Sequence, residues 1–412
     1  MRHPTAYSSP FRSACCIAVL MLASHSAAAG TESHATASDN DNPARLQIPG
    51  VEHSSTLSDS RLKLDDAIIG GASQSSRFSW WPKQLVVVPV PGYSPQLGWS
   101  LALGGAWYLD EEVEGGPPPS IIGGFAFASD NGSTAYGVGG MFHLKDDQFR
   151  VSAGLGHLDV EYRFYGIGND VNSRGLALDI QQTAPAAFGT FTARIWKRLY
   201  LGAGYLWSDV ETRPKLSLVD EIFPDFDPVI DLEMAALMVP IEWDSRDHNV
   251  FPRDGWHIKS NITLYRESVG SDFDATTVDL GVNRYIPVRD DDVFALRAYL
   301  RSTSGDAPFF LMSSFGGGKD LRGYPSGRYR DRMMYAVQGE YRWQLHRRWI
   351  ISAFAGVGEV ANDWGEFGKN YLPAGGLGLR FVVSEEHRVS LSTDIAVGKD
   401  GYEFYFGVNE AF

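Results

Sequence analysis

The densest chemistry in this 412-residue chain lies between Ser304 and Arg332. Phe315-Gly316-Gly317-Gly318-Lys319-Asp320-Leu321-Arg322-Gly323-Tyr324 is followed there by Pro325-Ser326-Gly327-Arg328-Tyr329-Arg330-Asp331. The glycines and the proline mark a loop. A guanidinium is charged at every relevant pH, so if such a loop is withdrawn from water its arginine needs carboxylate or carbonyl partners. Glu340, two residues before Arg342, is the leading candidate for Arg322, and Asp279 and Asp394 follow because they also fall on polar faces. The alternative is an Arg322 simply solvated in a loop. Other chemistry is thin. Ser152 and His157 could form a Ser/His set, but a serine on a polar strand face is ordinarily lining, and no enzyme is expected. The ten histidines are scattered and none stands at a zinc-ligand spacing. Asp220 to Asp231 is acid-rich but lacks a calcium-loop pattern and reads as a solvated loop. No metal and no cofactor are expected.

The elements that must position these residues are strands. Phe149, Val151, Ala153 and Leu155 alternate with Arg150, Ser152 and Gly154, which puts one face toward an apolar surrounding and the other toward water. The same period of two recurs in four later segments. Trp256, Ile258, Ile262 and Leu264 oppose His257, Lys259, Asn261 and Thr263; Tyr335, Val337, Tyr341, Trp343 and Leu345 oppose Gln338, Glu340, Arg342 and Gln344. Leu377, Leu379, Phe381 and Val383 repeat it, as do Val389, Leu391, Thr393, Ile395 and Val397 against Ser390, Ser392 and Asp394. A sandwich would not carry so many aromatics and aliphatics on its outward face. The expectation is an all-β transmembrane antiparallel barrel of about 16 strands, 14 and 18 being the neighbouring even counts.

Composition agrees. Aromatics make up 13% of the chain and hydrophobic residues 44%, yet mean hydropathy is −0.18, as suits a wall that shows lipid only at every second residue. At the front, Arg2 and Arg12, the apolar run Cys15 to Ala23, and Ala27-Ala28-Ala29 form a signal-peptide pattern over 1–29. The only two cysteines, Cys15 and Cys16, fall inside it. Removing 1–29 takes away two arginines and no acid, moving the formal charge from −14 to −16, which argues against a nucleic-acid partner. Residues 30–79 are polar and aperiodic and read as a flexible periplasmic tail, and 80–412 as the barrel. Short turns such as Pro252 to Gly255 alternate with longer breaks, the longest being Ser304 to Arg332, which the short-periplasmic-turn rule assigns to the outer side.

At this point the residues resemble a family, the outer-membrane barrel-assembly and two-partner-secretion superfamily that includes BamA and TamA and is also labelled bacterial surface antigen. Its long sixth extracellular loop carries a Val/Ile/Leu-Arg-Gly-Phe/Tyr tetrad folded into the lumen, which Leu321-Arg322-Gly323-Tyr324 fits. Asp244-Ser245-Arg246-Asp247 with Phe251-Pro252-Arg253-Asp254-Gly255 resembles its Asp-x-Arg-Asp…Phe-Pro-x-x-Gly periplasmic hairpin. Glu340-Tyr341-Arg342 resembles its Glu-x-Arg strand. Tyr405, Gly407 and Phe412 resemble its C-terminal assembly signal.

The departures matter as much. The family's Phe-x-Asp-x-Gly strand motif corresponds to Phe354-Ala355-Gly356-Val357-Gly358, so the usual acidic partner of the loop arginine is missing. Glu410 stands where the terminal signal usually has a hydrophobic residue, with Tyr402, Phe404, Phe406, Val408 and Phe412 expected to form the outward row. Gly30 to Trp80 lacks the periodicity of the family's periplasmic POTRA domains, so a short member without them is expected. The resemblance implies an outer-membrane protein engaged in protein insertion or translocation, with Arg322 gating a luminal loop. Its implied partners are outer-membrane lipids and lipopolysaccharide, the barrel-assembly machinery during biogenesis, and a separate periplasmic protein. The competing reading is a passive channel or surface antigen whose lumen is lined by Arg297, Arg301, Lys259 and Asp394.

Overall fold

The computed structural model describes residues 84–412 apart from 95–96, 110–118, 169–176, 216–228, 249–250, 290, 315, 317–319, 385–388 and 409. The segments 1–29 and 30–79, and most of the acid-rich 220–231 stretch, lie outside the described residues.

Every period-two segment is a strand, and the pairing is antiparallel throughout. The first half of the wall is β1 (Leu85–Ser94), β2 (Gly98–Tyr108), β3 (Ile121–Ser129), β4 (Thr134–Leu144), β5 (Phe149–Phe164), β6 (Leu178–Trp196), β7 (Leu199–Lys215) and β8 (Ile230–Asp244). The second half is β9 (Gly255–Tyr265), β10 (Ala275–Pro287), β11 (Val293–Gly305), β14 (Met333–His346), β15 (Trp349–Ala361), β16 (Leu372–Ser384), β17 (Val389–Gly398) and β18 (Gly401–Val408). Two dipeptide strands, β12 (Ser313–Ser314) and β13 (Arg330–Asp331), pair with each other inside the long loop. The sixteen wall strands follow one another in chain order in a single sheet that curls into a nearly closed barrel. No helix among the described residues is long and apolar enough to cross a membrane; the strands do the crossing.

Alternation sets the two faces. Leu155, Val337, Trp343, Leu377, Leu391 and Val397 are exposed on the outside, whereas Gln338, Glu340, Arg342, Arg380 and Asp394 are buried within. Two strands are long: β5 has 16 residues and β6 has 19, and β6 runs through Pro185. The proline is tolerated because Ala184 and Pro185 have no partner in the β6–β7 ladder, where no N–H is called for; the carbonyl of Pro185 accepts from Ser208 Oγ at 2.8 Å instead. The connections alternate between an end bearing two-residue turns such as 197–198 and 347–348 and an end bearing the 306–332 loop. The former is the periplasmic end by the same turn-length rule.

Candidate functional site

The 306–332 loop enters the barrel in two steps. Phe310 and Leu311, in a single 3-10 turn, are buried against Ala184, Val210, Met234, Ala236, Tyr265 and Ala275, so apolar side chains fill the mouth between β6 and β10. Farther along, Leu321 and Tyr324 pack on Met334, Ala336, Val360 and Leu372. Gly323 has φ +109°, and a Cβ there would sit 3.0 Å from the Val397 backbone. Both the conformation and the approach to β17 therefore call for glycine. Its N–H donates to Tyr405 Oη at 2.9 Å, and Tyr324 Oη donates to the Pro373 carbonyl at 2.7 Å while accepting from Lys399 N. Asp320 holds Arg297 on β11 at 2.6 Å. Tyr329 and Arg328 reach Asp400 in the β17–β18 turn.

Between these anchors the Arg322 side chain is completely buried. Its Nη1 donates to Asp394 Oδ2 at 2.8 Å, its Nη2 to Glu340 Oε2, and its Nε and backbone N–H both face Gln338 Oε1. The guanidinium lies 3.4 Å from the centre of the Phe354 ring, a stacked arrangement available to the planar arginine head but not to lysine. Arg342 Nε donates to Glu340 Oε1 at 2.7 Å and lies 3.4 Å from Glu410. Arg380 donates from Nε to Glu410 at 3.0 Å and from Nη1 to Asp394. Three buried guanidiniums thus face three buried carboxylates, Glu340, Asp394 and Glu410, and the balance of charge is what makes burial tolerable.

The structure revises several expectations. Asp279 does not reach Arg322; it accepts from Tyr299 Oη at 2.5 Å and Arg301 Nη1 at 3.1 Å on the neighbouring strand. Asp394, ranked behind Glu340 from sequence, shares Arg322 with it. The Gly356 position lacks its acid for a steric reason, because a Cβ there would lie 2.6 Å from the Val337 carbonyl and 2.9 Å from Leu321 Cδ1. Gly358 follows on the same inward row, and Phe354 serves as the stacking surface. Phe412 does not continue the outward row of Tyr402, Phe404 and Phe406. It turns inward at 5% exposure against Tyr285, Val293 and Ala295, and its carbonyl accepts from Arg342 Nη2 at 2.7 Å. Glu410 is thereby carried into the arginine cluster. Gly407 stays in β18, opposite Ser392.

Glu410 and Arg380 were missed by sequence reasoning. Arg380 sits between Leu379 and Phe381 on the inward period of β16, the same signal that marked Arg342, and Glu410 was an odd residue in an apolar row.

Elsewhere, the 245–254 hairpin between β8 and β9 is held by its own side chains and by ion pairs of Asp254 with Arg284 and of Arg253 with Asp291. Arg246 forks onto Asp244 at 2.9 and 2.6 Å, and Asp247 Oδ1 accepts from the N–H groups of Arg253 and Asp254. Phe251 N–H donates to His248, Pro252 is buried, and Gly255 at φ +112° closes against Ser245 where a side chain would clash. Ser152 and His157 point to opposite faces of β5, and His157 stacks on the outward Tyr136, so they form no catalytic set. Glu242, Asp244 and His257 lie close enough to share a cation, but Arg150 and Lys259 already engage Glu242, as Arg246 does Asp244. The residues named as pore lining are paired as well: Arg297 with Asp320, Arg301 with Asp279, Lys259 with Glu242.

Residues 231–412 match the Omp85 superfamily domain. No curated protein matches the sequence. Among solved structures the chain is similar to BamA from Haemophilus ducreyi lacking POTRA domains 1-3, with TM-score 0.56 and 14% identity over 80% of this chain and 70% of that one. It is also similar to CdiB from Acinetobacter baumannii, with TM-score 0.53 and 13% identity over 80% and 60%, and to CdiB from Escherichia coli, with TM-score 0.54 and 13% identity over 80% and 63%. The chain spans less than two thirds of either CdiB chain, and at these identities the likeness is one of fold. The matched stretch 231–412 holds the hairpin, the loop and the whole ionic cluster. Those residues therefore lie in the stretch that matches the Omp85 superfamily domain, within a β-barrel whose fold is like that of BamA and CdiB.

Proposed function

We propose that the barrel inserts proteins into the outer membrane or carries them across it, with the 306–332 loop as an internal closure and Arg322 as its pin. The observation that supports this reading is the seat of Arg322, fully buried and shared between Glu340 on β14 and Asp394 on β17. A loop that only decorated the outer surface would not place a permanent charge there. Because the pin is ionic, the loop leaves the lumen only when water or a competing charge replaces the carboxylates, which makes closure a two-state property of the cluster. In this reading clients are delivered by a separate periplasmic partner, with the export signal at 1–29 and the tail at 30–79 on the periplasmic path.

Single-channel recording of the refolded barrel in planar bilayers tests the proposal. Wild type is expected to be nearly silent and Arg322→Ala to open. A large, steady conductance that the substitution leaves unchanged would move the reading to a passive channel.

A further inference from the structure

On β15 the inward period is carried by Ile350, Ser352, Phe354, Gly356, Gly358 and Val360, so Glu359 belongs to the outward row with Trp349, Ile351 and Ala353. Its cross-strand neighbour is Tyr335, at the outer end of the outward row of β14. A carboxylate on the lipid side of a barrel wall is costly, yet Glu359 is fully buried. What covers it is the connection 362–371. Gly368 N–H donates to Glu359 Oε2 at 2.7 Å, and Lys369 and Asn370 N–H donate to Oε1 at 3.0 and 2.7 Å. Three backbone donors satisfy the carboxylate. The connection is therefore folded down over the outer wall of the barrel rather than standing above its rim.

The flap also holds itself together: Asp363 caps its 3-10 turn Trp364–Glu366 by accepting from Gly365 N–H, and Glu366 accepts from the N–H of Asn362, the residue before the cap. Phe367 meets Tyr335 edge-on at 5.1 Å and Trp364 at 5.8 Å. This stack leaves Trp364 65% exposed and Tyr371 57% exposed. Two amphipathic aromatics held out from the wall, at the top of a face whose lower part is Val337, Trp343, Trp349, Leu377 and Leu379, match the chemistry of a membrane–water interface, where such rings sit with one end dry and one end wet.

We propose that 362–371 is a membrane-docking flap: Trp364 and Tyr371 seat in the headgroup–acyl boundary of the outer leaflet, and Glu359 is the tether that holds the flap against the wall. The inference does not depend on the gating role of Arg322. It is an interaction surface for lipid, continuous with the lipid-facing rows of β14 to β16.

The test uses the full chain with Cys15→Ser and Cys16→Ser, which removes both native thiols. Trp364→Cys is spin-labelled in liposomes, and its collision rates with oxygen and with a water-soluble nickel chelate are compared with two references, Val337→Cys on the outward row and Asp306→Cys in the exposed loop start. The label at 364 is expected to favour oxygen over nickel, as at 337, and adding Glu359→Ala is expected to shift it to the aqueous pattern of 306 with a sharper, more mobile spectrum. A label at 364 that behaves like the one at 306 in the unmodified flap would overturn the docking. A depth and line shape unmoved by Glu359→Ala would overturn the tether. Conductance of the same samples reports gating separately, so either result is read independently of the proposed closure.

Discussion

Replacing Asp394 by asparagine removes one negative charge from a buried set of three guanidiniums and three carboxylates while keeping its shape. Asp394 holds Arg322 at 2.8 Å and also contacts Arg380, and both arginines are fully buried. Deleting one partner of such a pair costs about 3–5 kcal/mol, chiefly because an uncompensated charge stays behind. Asparagine retains an acceptor for Arg322, so about 3 kcal/mol is the appropriate figure, roughly a hundredfold in the closed-to-open ratio. The readout is open probability in planar bilayers, with Asp394→Asn expected to gate open far more often than wild type. Charge balance rather than shape can then be isolated. Arg380→Gln in the same background leaves two guanidiniums facing two carboxylates and should recover much of the closure, giving a coupling energy well above the ~0.5 kcal/mol expected of independent sites. An Asp394→Asn barrel as silent as wild type, or a double variant more open than the single, would refute the argument.

Two further outcomes follow from the geometry. Gly323→Ala forces a side chain into φ +109° against the Val397 backbone and should cost about 1–3 kcal/mol of loop seating, read as a lower heat-modifiability midpoint on gels; Gly189→Ala, where a Cβ meets nothing within 4 Å, is the control and should leave the midpoint in place. Asp247→Ala deprives two hairpin N–H groups of their acceptor and should loosen 245–254 by about 1–2 kcal/mol, seen as faster proteolysis there with conductance unchanged; an unaltered cleavage rate would count against the hairpin's being held by that side chain.

How far these features were legible in the sequence depends on how local their cause is. Alternation is a property of each strand alone, so the wall, its faces and a count near 16 could be read directly. The length of β6 was harder to read, because it runs through Pro185, whose effect depends on which neighbour its missing N–H faces. The loop motif and its first partner Glu340 were legible as residues, but the choice of the second was not, because Asp279 and Asp394 occupy equivalent polar positions and only strand order and tilt decide which one meets Arg322. Glu410 shows the limit most clearly. In sequence it interrupts an apolar row; in the fold the chain after Val408 leaves the outward period, and the residue that looked like a defect supplies the third carboxylate.

That placement couples the two ends of the cluster. Arg342 is shared between Glu340 and Glu410, and Arg380 between Asp394 and Glu410, so no member belongs to the loop alone. If Arg322 withdraws, three carboxylates are left with two guanidiniums, and Glu340 and Asp394 draw Arg342 and Arg380 away from Glu410. Opening the loop should therefore loosen the segment 410–412, and linkage requires the converse. Two measurements address the two directions. Glu410→Gln, at a residue that bonds Arg380 and lies beside Arg342, should raise open probability, by roughly 2- to 30-fold for a coupling of about 0.5–2 kcal/mol. Arg322→Ala should speed maleimide labelling of Ala411→Cys, placed in the cysteine-free background beside Tyr285 and Val293. If Glu410→Gln changes stability but not gating, and labelling at 411 ignores Arg322, then the six charges are two adjacent clusters, and the loop opens without disturbing the end of the chain.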